Sequence, residues 1–255
     1  MNALYLKTHP GTGSRIVLVH GWAMHGGVFD ALIEQLGDDF ERICVDLPGH
    51  GLSAPIDHFT LAALADHLAK ALGEQPAHWL GWSLGGLLCL TLAQRYPKLV
   101  RSVGLIASNP CFIEQVDWPG MTTDEFNRFS AAFHASPLTA LARFVALQCH
   151  NQAQSRNFTR FVQAAMSQCP APDRATLDQG LRLLAETDAR DLLTSTLVPK
   201  YALLGGQDGL IPEALATRLS DDYQIPVERV AEAGHMPFLS HPDICAAWLR
   251  QQIKD

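Results

Sequence analysis

Short apolar runs and stretches with helical spacing take turns along the first hundred residues. Ile16-Val17-Leu18-Val19 is continuous and mostly β-branched, the pattern of a strand buried on both faces. Phe29, Leu32, Ile33 and Leu36 then fall on one helical face, and Gly37 follows as a helix stop. Residues 42–45 predict a second strand, leading into the turn-rich loop Asp46-Leu47-Pro48-Gly49-His50-Gly51-Leu52-Ser53. Thr60 is the expected cap of an amphipathic helix carrying Leu61, Leu64, Ala65, Leu68 and Leu72. Ala77 to Gly81 predicts another buried strand, and residues 86–96 a helix that is apolar nearly all round and is ended by Pro97. Val103-Gly104-Leu105-Ile106 predicts a fourth strand. Strands and helices alternating at this spacing imply an α/β fold, a parallel sheet covered on both faces.

The texture changes at Asn109. Pro110, Pro119 and Gly120 break the chain, and as far as about Arg190 the pattern is helical. Ser136-Pro137 has the cap-then-proline form of a helix start. Another helix carries Phe158, Phe161, Val162 and Ala165 on one face. Alternation then resumes with a strand at Tyr201-Ala202-Leu203-Leu204, a helix from Pro212 to Leu219, a strand from Val227 to Val230 and a closing helix to about Ile253. Residues 1–109 and 191–255 therefore predict one sheet domain, and 110–190 a helical lid inserted into it.

Bulk properties narrow the class. A chain of 255 residues, 47% hydrophobic and 18% charged, can form one large soluble domain. Its net charge of -7 is the wrong sign for a nucleic-acid binder. No apolar run reaches bilayer-spanning length, and the first ten residues lack a signal pattern, so no membrane association and a cytoplasmic location are expected. The cysteines at 44, 89, 111, 149, 169 and 245 are scattered, as for reduced thiols packed as small hydrophobes. No metal or cofactor is expected: there is no H-E-x-x-H, and the one G-x-G, Gly11-Thr12-Gly13, precedes the first clear strand and predicts a turn.

The chemistry concentrates at Gly81-Trp82-Ser83-Leu84-Gly85, where a strand turns directly into a helix with Ser at the bend. Such a bend strains the serine backbone and brings the residues on either side close, so glycine is needed there. The helix start also aims free N–H groups at the place where negative charge would develop. A serine hydroxyl becomes a nucleophile when a neutral imidazole takes its proton and a carboxylate orients that imidazole. Asp208, in Gly205-Gly206-Gln207-Asp208, and His235, in Gly234-His235-Met236-Pro237-Phe238, both follow predicted strands, in the chain order Ser, Asp, His. For Asp208 the competing use is as a turn residue. His235 stands ahead of His20, His50 and His241, whose positions suit other uses. Two backbone N–H groups, of Leu84 and of Trp22 in His20-Gly21-Trp22, are the expected oxyanion hole; the Trp22 indole would wall the acyl pocket, its competing use being that of an ordinary core aromatic.

His20-Gly21, Asp46-x-Pro-Gly-x-Gly-x-Ser53, the 81–85 bend, Gly205-Gly206-x-Asp208 and Gly234-His235-x-Pro237-Phe238 together resemble an α/β-hydrolase with a cap inserted after its sixth strand. More narrowly, residues 80–86, 107–112, 118–120 and 143–148 resemble the carboxylesterases of biotin synthesis, which cleave the methyl ester of pimeloyl-acyl-carrier protein. The resemblance implies an esterase whose acyl group is bound by Trp22, Ser83, Leu84 and His235, with Phe144, Val145, Ala146, Leu147 and Gln148 lining the channel. It implies an acyl-carrier protein as partner, and a monomer is expected. A general short-chain esterase or thioesterase with the same triad is the alternative enzyme, and a non-catalytic receptor of hydrolase architecture the alternative class.

The lid has its own electrostatic signature. Between Glu125 and Asp173 there is no acidic residue, whereas Arg128, Arg143, Arg156 and Arg160 all fall there. Arg156 and Arg160 are one helical turn apart and share a face, set against a stripe of Phe158, Phe161, Val162 and Ala165 expected to pack inward. Arg143, Arg156 and Arg160 are the candidate docking surface for an acidic carrier protein; the bland use is a solvated basic face.

Overall fold

The computed structural model describes residues 4–148 and 155–253. Its seven-stranded sheet comprises β1 (Leu6–His9), β2 (Arg15–Val19), β3 (Glu41–Val45), β4 (Ala77–Trp82), β5 (Val100–Ile106), β6 (Lys200–Gly205) and β7 (Val227–Val230), in the order β1-β3-β2-β4-β5-β6-β7. All neighbours are parallel except β1, which pairs antiparallel with β3 from Leu6↔Val45 to His9↔Arg42. The sequence pattern predicts six of these strands and not β1. At four residues, half-exposed on the sheet edge, β1 carries no run of buried β-branched residues to betray it.

Helices α1 (Asp30–Leu36), α2 (Leu61–Leu72) and α3 (Leu84–Arg95) connect the first strands. Thr60 caps α2 by accepting the Ala63 N–H at 3.2 Å, and α3 is buried from Leu84 through Ala93, as its unbroken apolar composition demands. Two apolar layers result. One covers the sheet face that packs on α2 and α3; the other joins α1, Trp82, Phe238 and Trp248 on the opposite face.

Between β5 and β6 the chain runs through α4 (Thr123–Ala135), α5 (Pro137–Gln148), α6 (Ser155–Met166), α7 (Arg174–Glu186) and the single turn α8 (Leu192–Ser195). This excursion leaves the sheet after its fifth strand, not after the sixth. Its two ends are tied together where Ala189 N–H donates to Pro110 C=O at 2.8 Å and Cys111 bridges to Asp188. The short α9 (Ala214–Thr217), then α10 (Pro237–Ser240) and α11 (Pro242–Gln252), complete the chain. The helix expected at 212–219 is broken instead into α9 and a π turn at Arg218–Asp222. No helix among the described residues is long and apolar enough to cross a membrane.

The strand order decides where chemistry can sit. From β2 the chain moves to one side, to β3, and returns to β4 on the other side of β2. Loops leaving β2 and β4 therefore diverge, opening a crevice at the carboxyl ends of these two strands.

Candidate active site

Ser83 lies at that crevice with φ 53° and ψ −120°, a conformation that costs a non-glycine residue on the order of 1–3 kcal/mol. Its N–H donates to Ile106 C=O at 3.0 Å, and its C=O accepts from Ser108 Oγ at 2.7 Å, so the end of β5 and the turn just after it hold the bend on both sides. The flanking glycines are sterically required. A Cβ on Gly81 would lie 2.4 Å from the Gly85 carbonyl, and one on Gly85 would lie 2.3 Å from Val19 O. Leu84 opens α3, so its N–H has no acceptor one turn back within the helix.

The turn after β2 sits directly against the serine: a Cβ built on Gly21 would be 3.1 Å from Ser83 Cβ. His20 anchors this turn. Leu47 N–H donates to its Nε2 at 2.9 Å, which leaves Nδ1 protonated to donate to Gly21 C=O at 2.8 Å. Burial, and secondarily the neighbouring His50, hold the His20 imidazole well below the usual histidine range, so it serves as a neutral structural pin. Asp46 is likewise occupied, its Oδ1 accepting from Gly26 N–H at 2.7 Å and its Oδ2 from Leu52 N–H at 2.8 Å.

Asp208 and His235 converge from the loops after β6 and β7. His235 Nδ1 donates to Asp208 Oδ2 at 2.8 Å, with both side chains 1% exposed. Asp208 Oδ1 accepts the amides of Leu210 at 2.8 Å and Ile211 at 3.2 Å, which fixes the carboxylate plane. A carboxylate only accepts, so the imidazole proton resides on Nδ1 and Nε2 presents its lone pair. That Nε2 is buried and has no hydrogen-bond partner among the described residues. The histidine backbone is fixed in turn: its C=O accepts the Trp82 indole N–H at 2.9 Å, and its N–H donates to Gln148 C=O at 3.3 Å.

A cavity of about 340 Å³ opens above Ser83 and Asp208. Trp22, Phe144 and Leu147 form part of its wall, as do Phe126 and Phe129 of α4 and Leu181 and Leu184 of α7. Its lining is predominantly aromatic and aliphatic, suited to an acyl chain. The run 143–148 divides by helical geometry, because successive residues of α5 point about 100° apart. Phe144 and Leu147 reach the cavity, whereas Val145 is buried in the opposite apolar layer and Ala146 is exposed; neither lines the channel. Gln148 is buried behind His235, which it meets through its backbone. The walls from α4 and α7 escape sequence reasoning. Phe126, Phe129 and Phe133, and Leu177, Leu181 and Leu184, have helical spacing that marks a buried face but not what that face covers.

Arg143, Arg156 and Arg160 are exposed on α5 and α6. The expected inward stripe of α6 needs one correction: Val162 and Ala165 are buried and Phe158 is partly buried, but Phe161 is 40% exposed. Phe161 lies about 100° round the helix from Val162, at the flank of the packed face. Five cysteines, 44, 89, 111, 169 and 245, are free thiols; Cys149 lies outside the described residues.

Known proteins resemble this chain over nearly its full length. The pimeloyl-[acyl-carrier protein] methyl ester esterase of Methylococcus capsulatus is 36% identical over 251 residues, covering 98% of each chain. That of Proteus mirabilis is 36% identical over 255 residues, covering 100% of this chain and 98% of the relative. Among solved structures, the esterase EaEST from Exiguobacterium antarcticum superposes with a TM-score of 0.86 at 21% identity, covering 98% of this chain and 95% of that one. Bromoperoxidase from Bacillus anthracis superposes at 0.87 and 19% identity over 100% of both chains. Likeness at that distance speaks for the fold alone, since an esterase and a bromoperoxidase share it. The alpha/beta hydrolase family profile matches residues 16–248, from β2 through the serine bend and the Asp208 and His235 loops into α11. Because that span contains every element from which the site is built, the chain belongs to the alpha/beta hydrolase family.

Proposed function

We propose that this protein is a serine carboxylesterase that hydrolyses the methyl ester of pimeloyl-acyl-carrier protein. The observation that carries the substrate is the 36% identity, over 98% of each chain, to an esterase of that name. The site geometry supports the chemistry. Ser83 Oγ attacks the ester carbonyl while His235 Nε2 takes its proton; Asp208 stabilises the imidazolium through Nδ1. The backbone N–H groups of Leu84 and Trp22 receive the oxyanion as the tetrahedral intermediate forms. His235 returns the proton to the leaving methoxy oxygen, methanol departs, and water repeats the sequence on the acyl-enzyme to release the carboxylate.

In this reading residues 110–190 act as a cap over a core of 1–109 and 191–255, with Trp22, Phe144 and Leu147 against the methylene chain. Each methylene sequestered there contributes about 0.8 kcal/mol. The carrier protein stays outside and docks on Arg143, Arg156 and Arg160, the basic side of a chain whose net charge is -7. No cofactor takes part, and the protein works as a cytoplasmic monomer.

The deciding experiment compares kcat/KM for a carrier-linked pimeloyl methyl ester with that for a free short-chain ester. A preference of at least about a hundredfold for the carrier-linked ester is expected, abolished in Ser83→Ala. Equal rates would make the protein a general esterase. Failure of Ser83 to react with a fluorophosphonate would point to a receptor.

A further inference from the structure

Trp22 is gripped from the far side of the cavity. Its indole Nε1–H donates to Leu177 C=O of α7 at 2.9 Å, a buried bond. One turn along α7 is Gly180, where a Cβ would lie 2.5 Å from Trp22 Cδ1 and 3.0 Å from Nε1. Glycine is among the poorest helix formers, so Gly180 in the middle of this helix calls for a packing reason, and the indole supplies it. Phe129, Phe133 and Phe144 hold the same ring edge-on at centroid distances of 5.7, 5.6 and 5.2 Å. On the core side, Met24 N–H closes a turn onto Gly21 C=O at 3.4 Å, with Ala23 at φ 63°. The Trp22 backbone is thus suspended between a strained turn on the sheet and an indole moored to α7.

We infer that α7 sets the position of the Trp22 amide in the oxyanion hole, with Gly180 as the positioning residue that admits the indole. This rests on the oxyanion role given to Trp22 in the proposed function. The same helix presents Leu181 and Leu184 to the cavity, so the acyl chain and the indole bear on one rigid element. A chain long enough to reach them seats the helix that steadies the oxyanion donor, and acyl length is therefore felt in kcat as well as in KM.

Gly180→Ala tests this, because alanine improves helix propensity and so does not act by weakening α7. The variant should lose about tenfold or more in kcat, with KM moving less than about threefold. Affinity for an alkyl trifluoromethyl ketone, which Ser83 adds to as a hemiketal oxyanion, should fall by the same factor as kcat. Trp22→Phe, which keeps a ring but has no N–H for Leu177, should also lower kcat, and adding Gly180→Ala to it should cost little more. It carries the test alone if Gly180→Ala fails to fold by thermal melting. Unchanged kcat in both variants, or a loss confined to KM with ketone affinity intact, would overturn the inference. Full turnover in Ser83→Ala would instead remove the esterase reading on which it rests.

Discussion

His235 and Asp208 stand 27 residues apart in the chain, yet their side chains meet at 2.8 Å with only 1% of either exposed. The approach depends on Gly205, where a Cβ would fall 2.1 Å from Gly234 O. Gly205 ends β6, and without a side chain there the backbone at Gly234 can lie against it, one residue before His235. Burial excludes water that would otherwise compete for the bond.

Ser83→Ala and His235→Ala should each remove nearly all turnover, and the double variant should be little worse than either, because nucleophile and base act as one unit. Steady-state kinetics on the carrier-linked ester measures this. Losses that multiply would show the two residues working independently.

Two aspartates separate by the same assay. Asp208→Asn should lower kcat by about 10⁴-fold with the fold intact, since the imidazole loses the acceptor that sets its tautomer. Asp46→Asn should spare kcat in the folded protein but cost about 1–3 kcal/mol of stability, because both Asp46 oxygens accept backbone amides, that of Gly26 buried and that of Leu52 partly so. Reversed outcomes would exchange their roles.

Gly85→Ala should destabilise by about 3 kcal/mol or more, since the added Cβ would meet the backbone oxygens of Val19 and His20 at 2.3 and 2.8 Å. Gly37→Ala is the control. Its Cβ meets nothing within 4 Å, so only the backbone conformation, φ 54° and ψ −137°, opposes alanine, at about 1–3 kcal/mol. Urea midpoints for the pair test the steric account of the serine bend.

Arg156→Glu combined with Arg160→Glu should lower kcat/KM on the carrier-linked ester by at least about tenfold at low salt, an effect that fades as salt is raised. Turnover of a small free ester should remain near normal, because neither arginine lines the cavity above Ser83. Equal losses on both substrates would mean damaged helices; no loss would make these arginines an ordinary solvated face.

Acid should destabilise the fold through two buried histidines, His20 and His50, that lie outside the Asp208–His235 pair. Burial lowers His50 from 6.5 to about 4 and pushes His20 down as well. With the folded values depressed, the unfolded chain binds more protons below 6.5, so stability is complete above that pH and falls as pH drops toward 4. Each group contributes a slope of about 1.4 kcal/mol per pH unit within its window. Urea unfolding at pH 7, 6 and 5 measures it, and a flat profile would mean that these imidazoles charge freely in the folded state.

Much of this protein is legible without coordinates, and the reason is local. Ile16-Val17-Leu18-Val19 reads as a buried strand because a continuous apolar, mostly β-branched run suits a strand covered on both faces. Thr60 caps α2 and Gly37 ends α1 through bonds within a few residues, which short-range spacing encodes. The serine bend is legible for the same reason, since glycines flanking a serine between strand and helix state a steric need of their own neighbourhood. What the sequence could not decide are relations across space. β1 exists only because β3 offers it an edge. Val145 and Phe144 are neighbours in the chain, yet one enters the core and the other the cavity, a choice made by how α5 is rotated against the sheet. Leu177 carries no chemical signature, and Gly180 only that of a glycine within a helix, which does not say what packs against it. They matter because folding lays α7 across the crevice at Trp22, 155 residues away in the chain, and helical periodicity records that a face is buried but not what it is buried against.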